Sequence, residues 1–323
     1  MQYRALGRTG LKVSEIGYGA WGLGRREWIG ADDKESLRSL NRAIDLGVNF
    51  LDTALAYGEG HSEGLIGRVL KERREEVYVA TKVPPKNRRW PAPEDVPVSQ
   101  TYPGDYIVEC CEKSLRNLVR DHVDVLQLHT WQDRFLDEDG WRDALLGLKK
   151  SGKARLLGVS INDHDPESAL RAVKSGVFDT FQVIYNIFDQ SPEDELFAAC
   201  LAEGRGVIAR VPFDEGALTG TITPETEFPD GDFRNHYFGG DRKRQVWDRV
   251  LRLKKLLAEG EAKTLPELAL RFCLAHDAVS TVIPGMRKVA NVEANTSVSD
   301  GRRLTASART ALRAHAWPRD FYS

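Results

Sequence analysis

The sequence is poor in cysteine, and the placement of its cysteines argues against two classes of protein. Its 323 residues include four cysteines: Cys110, Cys111, Cys200 and Cys273. They form no Cys-x-x-Cys motif and no cysteine–histidine spacing of the kind that binds zinc. We therefore expect neither a disulfide framework nor a metal site.

The sequence also lacks a charge excess and a long hydrophobic run. Its 46 basic and 48 acidic side chains give a formal net charge of −2, so we expect neither nucleic acid nor an anionic membrane as a partner. No run approaches the roughly 20 apolar residues of a membrane-spanning helix. Met1 leads directly into polar residues rather than into an apolar signal segment. These absences predict a cytoplasmic protein and leave its oligomeric state open.

Strand-like and helix-like segments alternate along most of the chain. Residues 3–6 and 11–14 flank a glycine-containing turn and predict a β-hairpin. The strands predicted beyond it are 16–20, 48–52, 77–81, 123–128, 154–159, 180–184, 207–211 and 281–283. The predicted helices lie near 33–46, 62–73, 105–119, 141–151, 165–175, 193–203, 245–258, 264–275, 288–297 and 305–315.

This alternation predicts parallel strands, and eight of them fit a closed barrel. We therefore predict an α/β protein, a (β/α)8 TIM barrel with an N-terminal β-hairpin and extra C-terminal helices, in which residues 1–323 form a single domain. Two long polar segments, 84–104 and 212–244, follow predicted strands. Barrels build their active sites from loops at this end of the strands, so we expect both segments to contribute to function.

A glycine motif at residues 17–22 allows a second interpretation. It reads G-x-G-x-x-G after a predicted strand, and Asp52 ends the next strand, as in a Rossmann dinucleotide site. However, a loop separates the motif from the first plausible helix cap, Asp32 or Asp33, and Asp52 comes too late after the motif. We favour the alternative that the glycines let a barrel strand end beside a bound ligand.

Four ionisable residues stand at or just beyond the ends of three successive predicted strands. Asp52 ends the second strand, Tyr57 follows it by five residues, Lys82 stands at the end of the third, and His129 at the end of the fourth. Neighbouring strands lie about 4.8 Å apart, so these side chains can converge on the catalytic rim of a barrel.

The chemistry of these four residues suits a proton donor. Tyrosine titrates near 10 in water, and a nearby ammonium such as Lys82 lowers that pKa. Asp52 would keep Lys82 charged, and His129 would donate to a carbonyl oxygen. Taken singly, each residue also fits an ordinary role as a cap, a surface charge, a buried histidine or a loop aromatic. Their conjunction favours the catalytic interpretation.

These residues lie in motifs that resemble the aldo-keto reductase superfamily along nearly the whole chain. The motifs are YRALGRTGLKVSEIGYGAWGLG, Asp52-Thr53-Ala54, Gly58-x-Gly60-x-Ser62-Glu63, Ala80-Thr81-Lys82, Leu126-Gln127-Leu128-His129, Gly158-Val159-Ser160, Phe181-Gln182-x-x-Tyr185-Asn186 and Val282-Ile283-Pro284-Gly285. The last is similar to the Ile-Pro-Gly element of the bacterial branch. The resemblance implies an NADPH-dependent oxidoreductase that reduces an aldehyde or ketone to an alcohol by hydride transfer, with the four ionisable residues as its catalytic tetrad and Tyr57 as proton donor.

The same resemblance places a nicotinamide cofactor at the ends of the later strands. Ser160, Asn162 and Gln182 match the family's carboxamide-binding residues, although Asn162 stands one position later than in the usual Gly-Val-Ser-Asn motif. Amide and hydroxyl groups suit a carboxamide, which has one acceptor and two donors. Plain strand-end polarity is the alternative. Further residues expected to contact the cofactor are Gly19, Trp21, Pro212, Phe213 and Gly285.

Arg287 and Lys288 precede a predicted helix. A helix N-terminus with adjacent cations attracts phosphate through both its dipole and the charges. The resemblance puts the adenosine 2′-phosphate here, with Arg287 as the first candidate, and directs Asn291 and Asn295 toward adenine and ribose. NADPH is therefore expected, and NADH remains possible because the Lys-Ser pair of another branch is missing. A solvated helix start is the alternative.

Arg210 stands two residues before Pro212, where much of the family has an aromatic residue stacked on the nicotinamide. A guanidinium is flat and weakly hydrated, so it can lie against a ring in the same way. The alternative is an ion pair with Asp214 or Glu215, which follow in the next loop.

Trp21, Trp90 and Trp131 lie in loops after predicted strands and suit an apolar wall around a small-molecule carbonyl substrate. The substrate itself is not defined by the sequence. A sugar or alcohol dehydrogenase that runs oxidatively is one alternative. A non-catalytic NADPH-sensing barrel of the channel β-subunit type is another, and the complete tetrad favours an enzyme over it.

Overall fold

The structure, a computed structural model that describes residues 1–257 and 260–322, is built around one eight-stranded parallel sheet. Its strands pair in chain order and are β3 (Tyr18–Gly19), β4 (Phe50–Asp52), β5 (Tyr78–Val83), β6 (Val123–Leu128), β7 (Ala154–Ser160), β8 (Thr180–Ile184), β9 (Gly206–Arg210) and β10 (Val279–Val282). Parallel bridges from Ile16 to Val282 and from Gly19 to Gly285 join the first strand to the last. The sheet therefore closes into the predicted (β/α)8 barrel.

The predicted hairpin is present as β1 (Tyr3–Ala5) and β2 (Lys12–Ser14), which pair antiparallel. Its Leu6 side chain is fully buried in one apolar cluster with Phe50 and Val125 of the barrel strands. The hairpin also bonds the segment that precedes β9, where the Arg8 N–H donates to a backbone carbonyl at 2.8 Å. The hairpin therefore covers the end at which the strands begin and leaves the opposite end open for a site.

Most helices follow the predicted order with small shifts at their ends, but two short ones lie in the long segments 84–104 and 212–244, where no helix was predicted. They are α1 (Asp33–Asp45), α2 (His61–Glu72), α3 (Val98–Thr101), α4 (Gly104–Leu118), α5 (Trp141–Lys150), α6 (Leu170–Lys174), α7 (Leu196–Glu203), α8 (Arg234–Tyr237), α9 (Arg242–Leu257), α10 (Leu265–Leu274), α11 (Val289–Thr296) and α12 (Ala306–Arg313). Asp32 caps α1 by accepting from the Glu35 N–H at 2.8 Å. Among the described residues, no helix has both the length and the apolar character needed to cross a membrane.

Two helix predictions are corrected in detail. The segment 165–175 is divided into a 3-10 turn, Pro166–Ala169, and the short helix α6. The helix expected over 245–258 already begins at Arg242, and its last predicted residue lies outside the described part of the chain.

The strand predicted over 207–211 ends one residue early, at Arg210. Val211 adopts a left-handed backbone conformation with φ +55°, which a β-strand does not contain and which is rare for a β-branched residue. The chain therefore turns sharply at the point where it enters the long loop 212–244.

The glycine motif 17–22 belongs to the closure of the barrel. A Cβ atom at Gly19 would lie 2.5 Å from the carbonyl oxygen of Ile283, so glycine is required where the first strand approaches the last. The segment after it, Trp21–Gly24, is a single 3-10 turn rather than the helix that a Rossmann site needs. This geometry supports the barrel interpretation of the motif.

Candidate active site

Lys82, in the last part of β5, lies at the centre of the predicted tetrad. Its buried ammonium donates to Asp52 Oδ1 at 2.6 Å, to the Thr53 carbonyl oxygen at 2.8 Å and to the Tyr57 hydroxyl at 3.2 Å. A lysine ammonium has three N–H groups, so all of them are used here. One of them stabilises negative charge on the tyrosine oxygen.

Asp52, the last residue of β4, is held by amides that reach it across the barrel. Its Oδ2 accepts from Gln182 Nε2 at 2.7 Å and from Gln127 Nε2 at 3.3 Å, while Oδ1 accepts from Lys82. These bonds fix the carboxylate in place. They use one N–H of the Gln182 amide, so its second N–H and its carbonyl oxygen are the groups that can meet a cofactor carboxamide.

Burial and charge set the protonation of the tyrosine–lysine pair. Burial raises the pKa of Tyr57, and the positive charge of Lys82 offsets this only in part, so the expected net lowering of that pKa is not found. For Lys82, burial acts to lower the pKa, but the interactions with the Asp52 carboxylate and the Tyr57 hydroxyl outweigh it and the pKa is raised. At neutral pH the tyrosine therefore keeps its proton beside a fixed ammonium.

His129 lies edge-to-face with Tyr57, with ring centroids 5.7 Å apart. Burial lowers the pKa of His129 well below its usual range, and the charges of Lys82 and Arg210 act in the same direction. The imidazole is therefore neutral at physiological pH and keeps one N–H that can donate to a carbonyl oxygen.

A cavity of about 830 Å³ lies at the ends of the strands that carry these residues. Asp52, Tyr57 and His129 are on its wall, and Lys82 lies behind them. The residues predicted to contact the cofactor line the same cavity: Gly19, Trp21, Ser160, Asn162, Gln182, Arg210, Pro212, Phe213, Gly285, Arg287, Lys288, Asn291 and Asn295. One continuous space thus connects the tetrad with the start of α11.

Several buried nitrogen atoms on the cavity wall suit a polar ligand. Within residues 1–257 and 260–322, those without a hydrogen-bond partner include Trp28 Nε1, His129 Nδ1, Arg210 Nε and Asn295 Nδ2. A buried donor without a partner costs about 1–3 kcal/mol. A bound molecule with acceptor groups would remove that cost, so these residues fit a dinucleotide.

Three cations, Arg287, Lys288 and Arg234, line the end of the cavity nearest α11. Arg234 is paired with Asp232 at 2.8 Å, and Arg287 Nη1 donates to the carbonyl oxygens of Trp28 and Ile29 at 3.4 and 3.2 Å. Burial followed by the charge of Arg234 lowers the pKa of Arg287. The first N–H of α11, on Val289, already donates to Glu35 Oε1 at 2.9 Å. Anion attraction at this end therefore depends more on the cations than on free helix amides.

Arg210 lines the cavity, and its ionic partner was not predicted. Its Nη2 donates to Asp163 Oδ1 at 2.6 Å and to the Ile161 carbonyl oxygen at 3.0 Å. The alternative pairing with Asp214 or Glu215 is therefore wrong in its partner, because both of these carboxylates bond other side chains. Whether the guanidinium stacks on a nicotinamide stays a prediction.

Asn162 has a second role beside the cavity. Its side-chain oxygen accepts a short hydrogen bond from the Thr130 hydroxyl and longer ones from the N–H groups of Ala92 and Trp131, both at 3.3 Å. These bonds tie together the loops after β5, β6 and β7. The amide nitrogen is the part of Asn162 that can serve a ligand.

The three tryptophans predicted to form a substrate wall have different positions. Trp21 and Trp90 line the cavity, and the Trp90 ring lies edge-to-face with His129 at 5.8 Å. Trp131 is fully buried among Trp141 and Phe178, at 5.3 and 5.0 Å, and does not line the cavity. The substrate role expected for Trp131 is therefore wrong, because its indole fills the packing between the loop and the neighbouring helix.

The structure adds cavity residues that sequence reasoning missed. They include Trp28, Asp163, Glu215, Phe233 and Tyr322. Glu215 and Phe233 lie in the long loop 212–244, whose length was the signal for a functional role. Tyr322 is the next-to-last residue of the sequence, and no sequence pattern marks it.

Comparison with known proteins agrees with this geometry. A family model described as "Aldo/keto reductase family" matches residues 15–316. The chain is 30% identical over 305 residues to aldo-keto reductase YhdN of Bacillus subtilis, which covers 93% of this chain and 89% of the relative. It is 29% identical over 309 residues to the NADH-specific methylglyoxal reductase of Escherichia coli. That alignment covers 90% of this chain and 91% of the relative.

A solved structure shows the same architecture. The glycerol dehydrogenase of Gluconobacter oxydans superposes with a TM-score of 0.79 at 28% identity, over 97% of this chain and 94% of that one. The family match spans nearly the whole barrel, including all four tetrad residues. The chain therefore belongs to the aldo/keto reductase family and is an NAD(P)H-dependent oxidoreductase.

Proposed function

We propose that this protein reduces an aldehyde or ketone to an alcohol with NADPH and that Tyr57 donates the proton. The observation that carries the proposal is the contact of 3.2 Å between Lys82 Nζ and the Tyr57 hydroxyl, in a site where Asp52 holds the ammonium at 2.6 Å. Because Lys82 donates to the tyrosine oxygen, the tyrosine proton is available to another acceptor. Tyr57 lines the cavity, so a substrate oxygen can be that acceptor.

The chain's own residues then divide the proton chemistry among them. The neutral His129 donates an N–H to the carbonyl oxygen, and Tyr57 gives up its proton as that oxygen gains negative charge. Lys82 stabilises the phenolate that remains, and such preorganised charge is worth several kcal/mol in a buried site. When bound, the reduced nicotinamide supplies the hydride.

We assign the cofactor to the wall that runs from β7 to α11. Ser160, Asn162 and Gln182 lie beside the tetrad residues and present the hydroxyl and amide groups that a carboxamide needs. At the far end, Arg287 and Lys288 favour a cofactor with an additional phosphate, which is the reason for proposing NADPH over NADH.

The substrate pocket lies between Trp21 and Trp90, next to Tyr57. The Trp90 side chain is 44% exposed, so it stands at the mouth of the cavity, where an aromatic ring can pack against an entering molecule. We propose a small carbonyl compound with an apolar or sugar-like face as the substrate class.

The proposal is tested by following nicotinamide absorbance with a panel of carbonyl compounds. The panel contains 4-nitrobenzaldehyde, methylglyoxal and several aldoses, each with NADPH and with NADH, and the reverse reaction is followed with glycerol and sugars. We expect turnover with at least one carbonyl and a lower KM for NADPH. Faster turnover with NADH would contradict the cofactor assignment. A dinucleotide that binds without turnover in either direction would favour a non-catalytic sensor.

A further inference from the structure

The loop after β9 crosses to the loop after β3 and contacts it directly. The Phe233 N–H donates to the Glu27 carbonyl oxygen at 2.8 Å, and Asp232 accepts from the Ile29 N–H at 3.2 Å. The Phe233 ring lies 5.4 Å from that of Trp21. We call residues 232–234 and the segment 21–29 that they contact the clasp.

The position of the clasp determines what lies beneath it. β10 is the strand between β9 and β3 in the closed sheet, so contacts between the loops after β9 and β3 pass over the end of β10. Arg287 and Lys288 follow that end and line the cavity. The proposed path of a dinucleotide from Tyr57 to Arg287 therefore lies under the clasp, and on that path its release requires the clasp to open.

The C-terminal tail, residues 314–322, packs against the clasp at Phe233, and its Tyr322 also lines the cavity. The Tyr322 ring is stacked on Phe233 at 5.8 Å and lies 4.9 Å from Tyr237. Phe321 is buried and lies 5.4 Å from the same Tyr237. The aromatic contacts thus run without a break from the tail through Phe233 to Trp21.

Polar contacts attach the tail to the first part of the loop after β9. The Tyr322 hydroxyl donates to Glu215 Oε1. The guanidinium of Arg319 forms an ion pair with Asp214, and both side chains are almost fully buried. The tail therefore bonds Asp214 and Glu215 in the first part of this loop and also packs against Phe233 in its later part.

Three residues in the first part of that loop have left-handed backbone conformations. Val211, Asp214 and Glu215 have φ values of +55°, +49° and +54°. Left-handed conformations of non-glycine residues cost about 1–3 kcal/mol each and persist only when the surroundings hold them. Two of the three are the residues whose side chains bond Arg319 and Tyr322.

We propose that the C-terminal tail is a brace for the clasp, joined to it by the Tyr322–Glu215 hydrogen bond, and that this brace determines how long a dinucleotide remains bound. The inference rests on the proposed function, since it concerns release of the cofactor. Opening of the clasp separates the Phe233 ring from the Trp21 ring. While the tail stays bound to Glu215, the same opening also separates the Phe233 ring from the Tyr322 ring. Tyr322 is accordingly a positioning residue that acts through Phe233.

The test is the dissociation rate of NADPH, measured by stopped-flow fluorescence after the complex is mixed with excess NADP+. Tyr322→Phe keeps the ring and removes only the hydroxyl. A net hydrogen bond is worth about 1 kcal/mol, so dissociation should become about fivefold faster. A chain that ends at Asp320 loses the ring as well and should release NADPH at least tenfold faster. The association rate should change less than twofold in both variants.

Tyr3→Phe is the matched control. The Tyr3 hydroxyl also donates one hydrogen bond, to the Gly47 carbonyl oxygen at 2.9 Å, but it belongs to the N-terminal hairpin. Its removal should leave NADPH release unchanged. Thermal unfolding of each variant is measured in parallel, and if the shortened chain does not fold, Tyr322→Phe decides.

Dissociation rates within twofold of the wild type in Tyr322→Phe would overturn the brace. An equal acceleration in Tyr3→Phe would overturn it too, because the effect would then not depend on the tail. A wild-type protein that binds neither NADPH nor NADH would contradict the proposed function itself. A failure of the brace alone would leave the proposed function unchanged.

Discussion

The two walls of the cavity are held by different forces. On the wall formed by β4 and β5, the charged groups are buried and directly paired: Lys82 uses its three N–H groups on Asp52, Thr53 and Tyr57. On the wall formed by the loops after β3 and β9, aromatic contacts such as Trp21–Phe233 dominate. The paired charges suit a reaction that moves a proton, whereas the aromatic wall is the part that we propose to open when the cofactor leaves.

Lys82→Met breaks the strand wall and should have the largest effect. It removes the cation that stabilises the phenolate, and it leaves the Asp52 carboxylate buried without its ionic partner. Loss of one member of a buried pair costs about 3–5 kcal/mol of stability, and loss of assistance to proton transfer costs about 10²–10⁴ in rate. The account would be contradicted if the free energy of unfolding in denaturant and the turnover rate of Lys82→Met were both near those of the wild type.

Arg287→Ala tests the far end of the loop wall. If Arg287 bonds a 2′-phosphate, NADPH binding should weaken by about 1.5–3 kcal/mol, the range for hydrogen bonds to charged groups. NADH binding should weaken less, because it loses only the bonds of Arg287 to the Trp28 and Ile29 carbonyl oxygens of the clasp. Both affinities can be read from quenching of tryptophan fluorescence. Equal losses for the two cofactors would show that the residue is structural or contacts a group that both cofactors share.

Glu215→Gln should have the smallest effect, and its sign depends on pH. Burial raises the pKa of Glu215 from 4.5 to about 7. A raised folded-state pKa gives stability that is present below pH 4.5 and is lost as the pH rises through 7. Glutamine has no charge to bury, so at pH 8 the melting temperature of the variant should be about 2–4 °C above that of the wild type. At pH 4.5 the two melting temperatures should be equal. A shift of the same size at both pH values would show that ionisation of Glu215 is not the cause.

The strand wall could be predicted from the sequence, and the loop wall largely could not. Asp52, Lys82 and His129 stand at strand ends, where the apolar pattern of each strand fixes which residue reaches the rim. The Tyr322–Phe233 contact joins residues 89 positions apart in two irregular segments, and nothing in either segment specifies the other. The indole of Trp131 shows the same difficulty, because a loop tryptophan can face either the cavity or the packing behind it.

The ionic partner of Arg210 was mispredicted for a related reason. Asp214 and Glu215 are near it in sequence, but after the left-handed turn at Val211 their carboxylates bond Arg319 and Tyr322 of the tail instead. Asp163, from the loop after β7, takes their place at 2.6 Å. Side-chain pairing across loops depends on backbone turns that composition and periodicity do not reveal.

The most direct test of the central claim is Tyr57→Phe, with turnover and NADPH affinity measured on the same preparation. The hydroxyl is the proposed proton donor, so turnover should fall by about 10²–10⁴, while NADPH should bind within about twofold of the wild type. Turnover at the wild-type rate would contradict the assignment of Tyr57 as the proton donor.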